Sequence, residues 1–92
     1  TGTSTPSVSL PLTVQLANGL HARPAARLAR AAQGCSSSLR LVTESGSADA
    51  SSLLDILSLG LSFGKEVTIE ASGENAQEDA MMLAAYLKDE NR

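Results

Sequence analysis

The chain holds one histidine, His21, inside the run Gly19-Leu20-His21-Ala22-Arg23-Pro24. Proline suits the first turn of a helix, because the N–H it lacks would have no intrahelical partner there. The spacing therefore sets His21 at or just before a helix N-cap, close to backbone amides that the helix leaves unpaired. Histidine is not a favoured cap; Ser, Asp or Asn would satisfy that end better. At 100° per residue Arg23, Arg27 and Arg30 share one helical face, opposite Ala25, Leu28, Ala29 and Ala32. An arginine in the first turn opposes the helix dipole by roughly 0.3 to 1 kcal/mol, and no acid precedes Glu44 to offset it. The arrangement invites an anion. Helix-start amides already bind phosphate, and a guanidinium adds charge-assisted, bidentate hydrogen bonds. An imidazole among these positive groups should be held neutral near pH 7, with a lone pair able to attack phosphorus. The chemistry expected is phosphorylation of His21 and onward transfer.

Blander readings stand beside this one. A lone histidine in a small domain is more often a surface or capping residue than a reactive one, and spacing alone leaves that open. No metal site is expected, since His21 and Cys35 are the only His and Cys and form no recognisable ligand set. Cys35 has no base specified by sequence, so a buried or idle thiol is the better reading than a nucleophile.

The 92 residues, 42% apolar and 18% charged, make one folded domain with room for one core and one site. A single cysteine allows no internal disulfide, so packing alone must hold the fold. The uncharged stretch from Thr1 to Leu20 is too polar to span a bilayer, and no basic segment leads into a secretory signal. A cytoplasmic protein with no direct membrane binding is expected. The net charge of −3 hides a division. Residues 1–43 carry four arginines and no acid, whereas residues 44–92 carry three basic and ten acidic residues. Long basic runs and interleaved aromatics are missing, so nucleic-acid binding is not expected. The positive patch suits a smaller anion.

Elements that could position the histidine follow from the apolar periods. Thr1–Pro11 is rich in Ser, Thr, Gly and Pro and reads as a flexible linker or added end, leaving residues 12–92 as the domain. Leu12, Val14 and Leu16 alternate as a strand ending near Ala17, and the arginine-bearing helix runs from Ala22 to Gln33 before Gly34. Leu39 and Leu41, a turn at residues 44–47, then Ala48 and Ala50 make a hairpin with a weak return strand. Ser52 and Asp55 match a capping box opening a short helix to about Leu59, and Asn75 and Glu78 match a second before a helix from Ala76 to Asp89. Val67, Ile69 and Ala71 supply the strand between them. The order β-α-β-β-α-β-α, with each strand greasy on one face, predicts an α+β fold: an antiparallel sheet with helices on one side.

The run Asn18-Gly19-Leu20-His21-Ala22-Arg23-Pro24-Ala25-Ala26 resembles the active-site signature of HPr, the histidine-containing phosphocarrier of the bacterial phosphoenolpyruvate-dependent sugar phosphotransferase system. Ala50-Ser51-Ser52-Leu53-Leu54, Leu57-Ser58-Leu59-Gly60 and residues 64–73 resemble its second signature region and the strand after it, so the likeness covers about residues 12–90. It implies an open-faced β-sandwich, a four-stranded antiparallel sheet covered on one side by three helices. It implies that His21 is phosphorylated at Nδ1 by phospho-Enzyme I and passes the group to an Enzyme IIA-type acceptor. Arg23 would assist, and the Ala22 and Arg23 amides would belong to the phosphate-binding turn. Ser52 matches a serine that a regulatory kinase modifies in some relatives, blocking docking, although capping the short helix is a sufficient role for it. The implied protein is a monomeric relay without cofactor, not a free-standing catalyst.

Typical relatives place lysines beside that serine and on the following helix, where this chain has Ser51 and Asp55. Docking electrostatics are thereby weakened on one side of the site, while Arg27 and Arg30 keep positive charge on the other. Leu53, Leu54 and Leu57 are too many apolar residues for a short helix to bury, which makes them candidates for a docking patch; core packing is the preferred role of Leu53 and Leu57. The altered charge fits a dedicated partner, including an Enzyme I or IIA-like module fused to the same polypeptide, since tethering relaxes the need for steering. The alternative from another class is a regulatory docking module that uses the same surface without relaying phosphate.

Overall fold

The computed structural model describes residues 7–16, 19 and 22–88. Their order is β1 (Ser7–Thr13), α1 (Ala22–Gln33), β2 (Ser38–Thr43), β3 (Gly46–Asp49), α2 (Leu53–Ser58), β4 (Glu66–Ser72) and α3 (Ala76–Lys88). This is the predicted order. The strands form one antiparallel sheet in the order β1-β4-β2-β3.

One expectation is corrected. The first strand begins at Ser7, five positions before the expected Leu12, and it pairs with β4 from Ser7 opposite Ser72 to Thr13 opposite Glu66. Residues 7–11 are therefore sheet and not linker. The alternation Val8, Leu10, Leu12 was present, but serines between them and Pro11 lent the stretch the composition of a loop. Proline is tolerated because β1 lies at the sheet edge, where a strand can lack one ladder donor. Val14 and Leu16, read as the strand's continuation, lie beyond it and are fully buried.

The apolar periods explain the layers. Leu41, Val67 and Ile69 point from the sheet into a core shared with Leu28 of α1, Ile56 of α2 and Leu83 and Leu87 of α3, all 2% exposed or less. Each such side chain contributes about 1.5 to 3 kcal/mol of burial. The opposite sheet face presents Ser9, Pro11, Thr13, Arg40, Glu66 and Glu70 to solvent. α3 lies across β1 and β4, and α1 packs on α2 and α3. α2 and α3 thereby hold the apolar face of α1, which leaves its arginine face outward.

Candidate functional site

His21 lies outside the described residues, as do Asn18 and Leu20 of the same run; Gly19 and Ala22 flank the histidine. α1 begins at Ala22, so Arg23 and Pro24 occupy its first turn, where Pro24 is buried and Arg23 is exposed. That turn contains no acid. Arg27 and Arg30 are exposed on the same side, while Pro24, Ala25, Leu28, Ala29 and Ala32 face the core. The arginines therefore form a ridge at the positive end and along the outer face of α1. Arg27 and Arg30 also line a shallow groove of about 460 Å³ between α1 and α2, together with Ala26, Ala29, Gln33 and Leu53.

The three leucines of α2 part company. Leu54 is 79% exposed, whereas Leu53 and Leu57 are half-buried and packed against the core, as preferred for them from sequence. Ile56 fills the interior beneath them.

Ser52 caps α2, its Oγ accepting from the Asp55 N–H at a long 3.4 Å. The expected box is only half made. The Ser52 N–H donates to the Asp49 carbonyl at 3.0 Å rather than to the Asp55 carboxylate. Asp49 organises the turn: its Oδ1 accepts from the Ser51 N–H at 2.9 Å and the Ser51 hydroxyl at 2.7 Å. These bonds, more than the Arg40 charge, hold the Asp49 carboxyl below its ordinary pKa. Gln33 Nε2 donates to the Ser51 carbonyl at 2.9 Å, tying the end of α1 to the turn before α2.

A second loop enters the site, one that sequence reasoning passed over. Gly19 has φ +72°, and a Cβ built on it would lie 2.8 Å from the Leu61 carbonyl oxygen and 2.9 Å from Ser62 Cα. The loop after α2 thus rests on the backbone two positions before His21. Glycines at 60 and 64 were its sequence signal, because they bracket Leu61-Ser62-Phe63 as a defined turn.

A larger groove, about 670 Å³, lies elsewhere, lined by Gln33, Cys35, Ser38, Arg40, Asp49 and Asp55 among others. Gln33 is eleven residues along α1 from Ala22, roughly 16 Å at 1.5 Å per residue. A side chain that exchanges a group with another protein must be presented, not enclosed, so this cavity is not where the chemistry is sought. Among the described residues no cluster of His, Cys, Asp or Glu is arranged to hold a metal ion, and no helix is long and apolar enough to cross a membrane.

Residues 8–89 match the family described as the PTS HPr component phosphorylation site. The chain belongs to the HPr family. Among its HPr relatives, the HPr-like protein Crh of Bacillus subtilis strain 168 is 40% identical over 77 residues, covering 84% of this chain and 91% of Crh. A multiphosphoryl transfer protein of Xanthomonas campestris is 42% identical over 64 residues, 70% of this chain but 8% of that much longer protein. The crystal structure of the phosphocarrier protein HPr from Bacillus anthracis str. Ames superposes with a TM-score of 0.84 at 33% identity, covering 88% of this chain and 96% of that one. The HPr fold predicted from the sequence is thereby established, and with it a phosphocarrier role in the phosphotransferase system.

Proposed function

We propose that this HPr domain accepts a phosphoryl group on His21 from phospho-Enzyme I and passes it to an Enzyme IIA-type acceptor. In the first step an imidazole nitrogen of His21 forms a bond to phosphorus as the bond from phosphorus to the donor breaks. Arg23 and the amides of Ala22 and Arg23 meet the charge on the phosphoryl oxygens. Arg27, Arg30 and Leu54 receive the partner, with Leu53 and Leu57 supporting from beneath. The observation that carries this reading is the solvent-exposed Arg23 in an acid-free first turn, one residue after His21 in sequence. It works in the cytoplasm as a monomer, or as one module of a larger chain, a reading supported by the similarity to a multiphosphoryl transfer protein. Ser52, at the start of α2, is the site where a regulatory phosphate would sit.

Incubation with phosphoenolpyruvate and Enzyme I should yield an acid-labile, base-stable phosphoryl adduct that His21→Ala abolishes. A His21→Ala protein that still takes label would overturn the assignment. The likeness to Crh, described as the Bacillus subtilis catabolite repression HPr, supports one second reading, a regulatory module that docks a protein without relaying phosphate. Capture of partners that is indifferent to the phosphorylation state of the domain would select that reading.

A further inference from the structure

The sheet face turned away from the helices carries side chains that the phosphoryl chemistry does not use. Along the strands its outward residues are serine, threonine or charged, with Pro11 and Val42 the apolar exceptions. The register brings those two together. Pro11 is opposite Thr68 and Thr68 is opposite Val42, so the three make one row across β1, β4 and β2. Side chains directly opposite on neighbouring strands share a face, with Cβ atoms about 4.5 to 5.5 Å apart. Val42 and Thr68 are half-buried there. The row floors a groove of about 520 Å³ that is also lined by Thr13, Glu44 and Glu66.

The two carboxylates are neighbours by the same register. Continued one row past Val42 and Thr68, where the β2–β4 ladder ends, it sets Glu44 beside Glu66. Like charges side by side across strands are destabilising. Other acids on this face have a cation in their own row, because Arg40 stands between Glu70 and Asp49. Among the described residues no cation is paired with Glu44 or Glu66. The turn that carries Glu44 is held in place: Thr43 Oγ1 accepts from the Ser45 N–H and donates to the Gly46 carbonyl, both at 3.2 Å. Scattered apolar residues on a surface are ordinary. An apolar row ending at two adjacent carboxylates with no partner cation is a more specific arrangement.

We propose that this groove docks a partner protein through an arginine or lysine, its aliphatic stem lying along Pro11, Thr68 and Val42 and its cationic head between Glu44 and Glu66. Long cationic side chains bury their stems on apolar surface while the head stays with polar groups. A guanidinium meets carboxylates through paired, charge-assisted hydrogen bonds, and arginine is enriched at protein interfaces. The floor is only half-buried, so a free small cation would gain little from it, whereas a protein segment adds contacts on either side. The groove lies across the sheet from α1 and α2, so a partner seated there leaves the arginine ridge uncovered.

The test is a titration of the isotope-labelled chain, followed through its backbone amide shifts, with the blocked peptide acetyl-Ala-Val-Arg-Val-Ala-amide and its lysine and citrulline counterparts. The arginine and lysine peptides should shift residues 12–13, 42–45 and 66–68 to saturation. Citrulline keeps the shape of arginine without its charge, and that peptide should bind at least about tenfold more weakly. Combining Glu44→Gln with Glu66→Gln should weaken the arginine peptide about tenfold without lowering the urea midpoint, since both side chains are exposed. The citrulline comparison decides on the unaltered chain, whatever the stability of the double variant. The proposal is overturned if the arginine peptide gives no saturable shift, if the citrulline peptide binds as well, or if the shifts gather instead at other acids such as Glu74 and Glu78. Shifts of the free chain that grow with its own concentration at both this groove and α1 also overturn it, since they assign the groove to the arginine ridge of a second copy.

Discussion

Gly19 and Leu61 approach so closely that a Cβ added to Gly19 would lie 2.8 Å from the Leu61 carbonyl oxygen. The neighbour is backbone, which cannot swing aside as a side-chain tip can, and the φ of +72° already disfavours any residue with a Cβ. Gly19→Ala should therefore cost about 2 to 4 kcal/mol of stability, combining left-handed strain with displacement of the 61–63 loop. Urea denaturation measures it. A loss below about 1 kcal/mol would mean that the two loops separate easily.

Arg23 separates function from stability. It is exposed in the first turn of α1, where its charge opposes the helix dipole and the turn itself holds no acid. Arg23→Ala should leave the urea midpoint unchanged or raise stability by roughly 0.3 to 1 kcal/mol. Its phosphoryl-transfer rate should fall about 10- to 100-fold, the equivalent of one charge-assisted hydrogen bond of roughly 1.5 to 3 kcal/mol. Full transfer activity in Arg23→Ala would remove the arginine from the site.

Ser52 tests how much a half-made cap is worth. Its bond to the Asp55 N–H is 3.4 Å long, and α2 has only six residues, so Ser52→Ala should destabilise by about 0.5 kcal/mol, the low end for a lost cap. Ser52→Asp keeps a capping oxygen and should match the wild type in stability, yet bind Enzyme I more weakly if a negative charge there blocks docking. Equal affinity of Ser52→Asp and wild type would assign Ser52 to capping alone.

The legible parts of this molecule were those with a strong local signal. The arginine helix was placed from Ala22 to Gln33 because an apolar stripe, Pro24 and Gly34 all agreed on it. Strand β1 was misjudged in extent because its outward residues are Ser9 and Pro11, which are common in loops, and only pairing with β4 makes them sheet. The Ser52–Asp55 spacing was read correctly as a cap, but spacing cannot show that the Ser52 N–H is taken by the Asp49 carbonyl. The approach of Leu61 and Phe63 to Gly19 joins residues more than forty apart in the chain, so no window of local sequence contains it. The leucines of α2 shared one composition and different fates, since exposure of Leu54 and half-burial of Leu53 and Leu57 depend on where α1 lies.

Cys35, two residues beyond α1 and partly buried, offers a check on its surroundings near Asp79 of α3. Its thiol donates to the Ala31 carbonyl at 3.2 Å, and its pKa is raised above the ordinary value, first by burial and then by the nearby Asp79 carboxylate. The folded chain thus keeps a proton that the unfolded chain releases. The thiol's contribution to stability is complete below its unfolded pKa and is lost as pH rises through the higher folded value. Iodoacetamide should consequently label the native protein slowly at pH 8 while labelling urea-unfolded chains readily. Asp79→Asn removes the repelling charge and should move the onset of labelling to lower pH; burial remains, so the onset stays above that of the unfolded chain. Native labelling at pH 8 as fast as in the unfolded chain would show that partial burial and Asp79 do not hold the Cys35 proton in the folded chain.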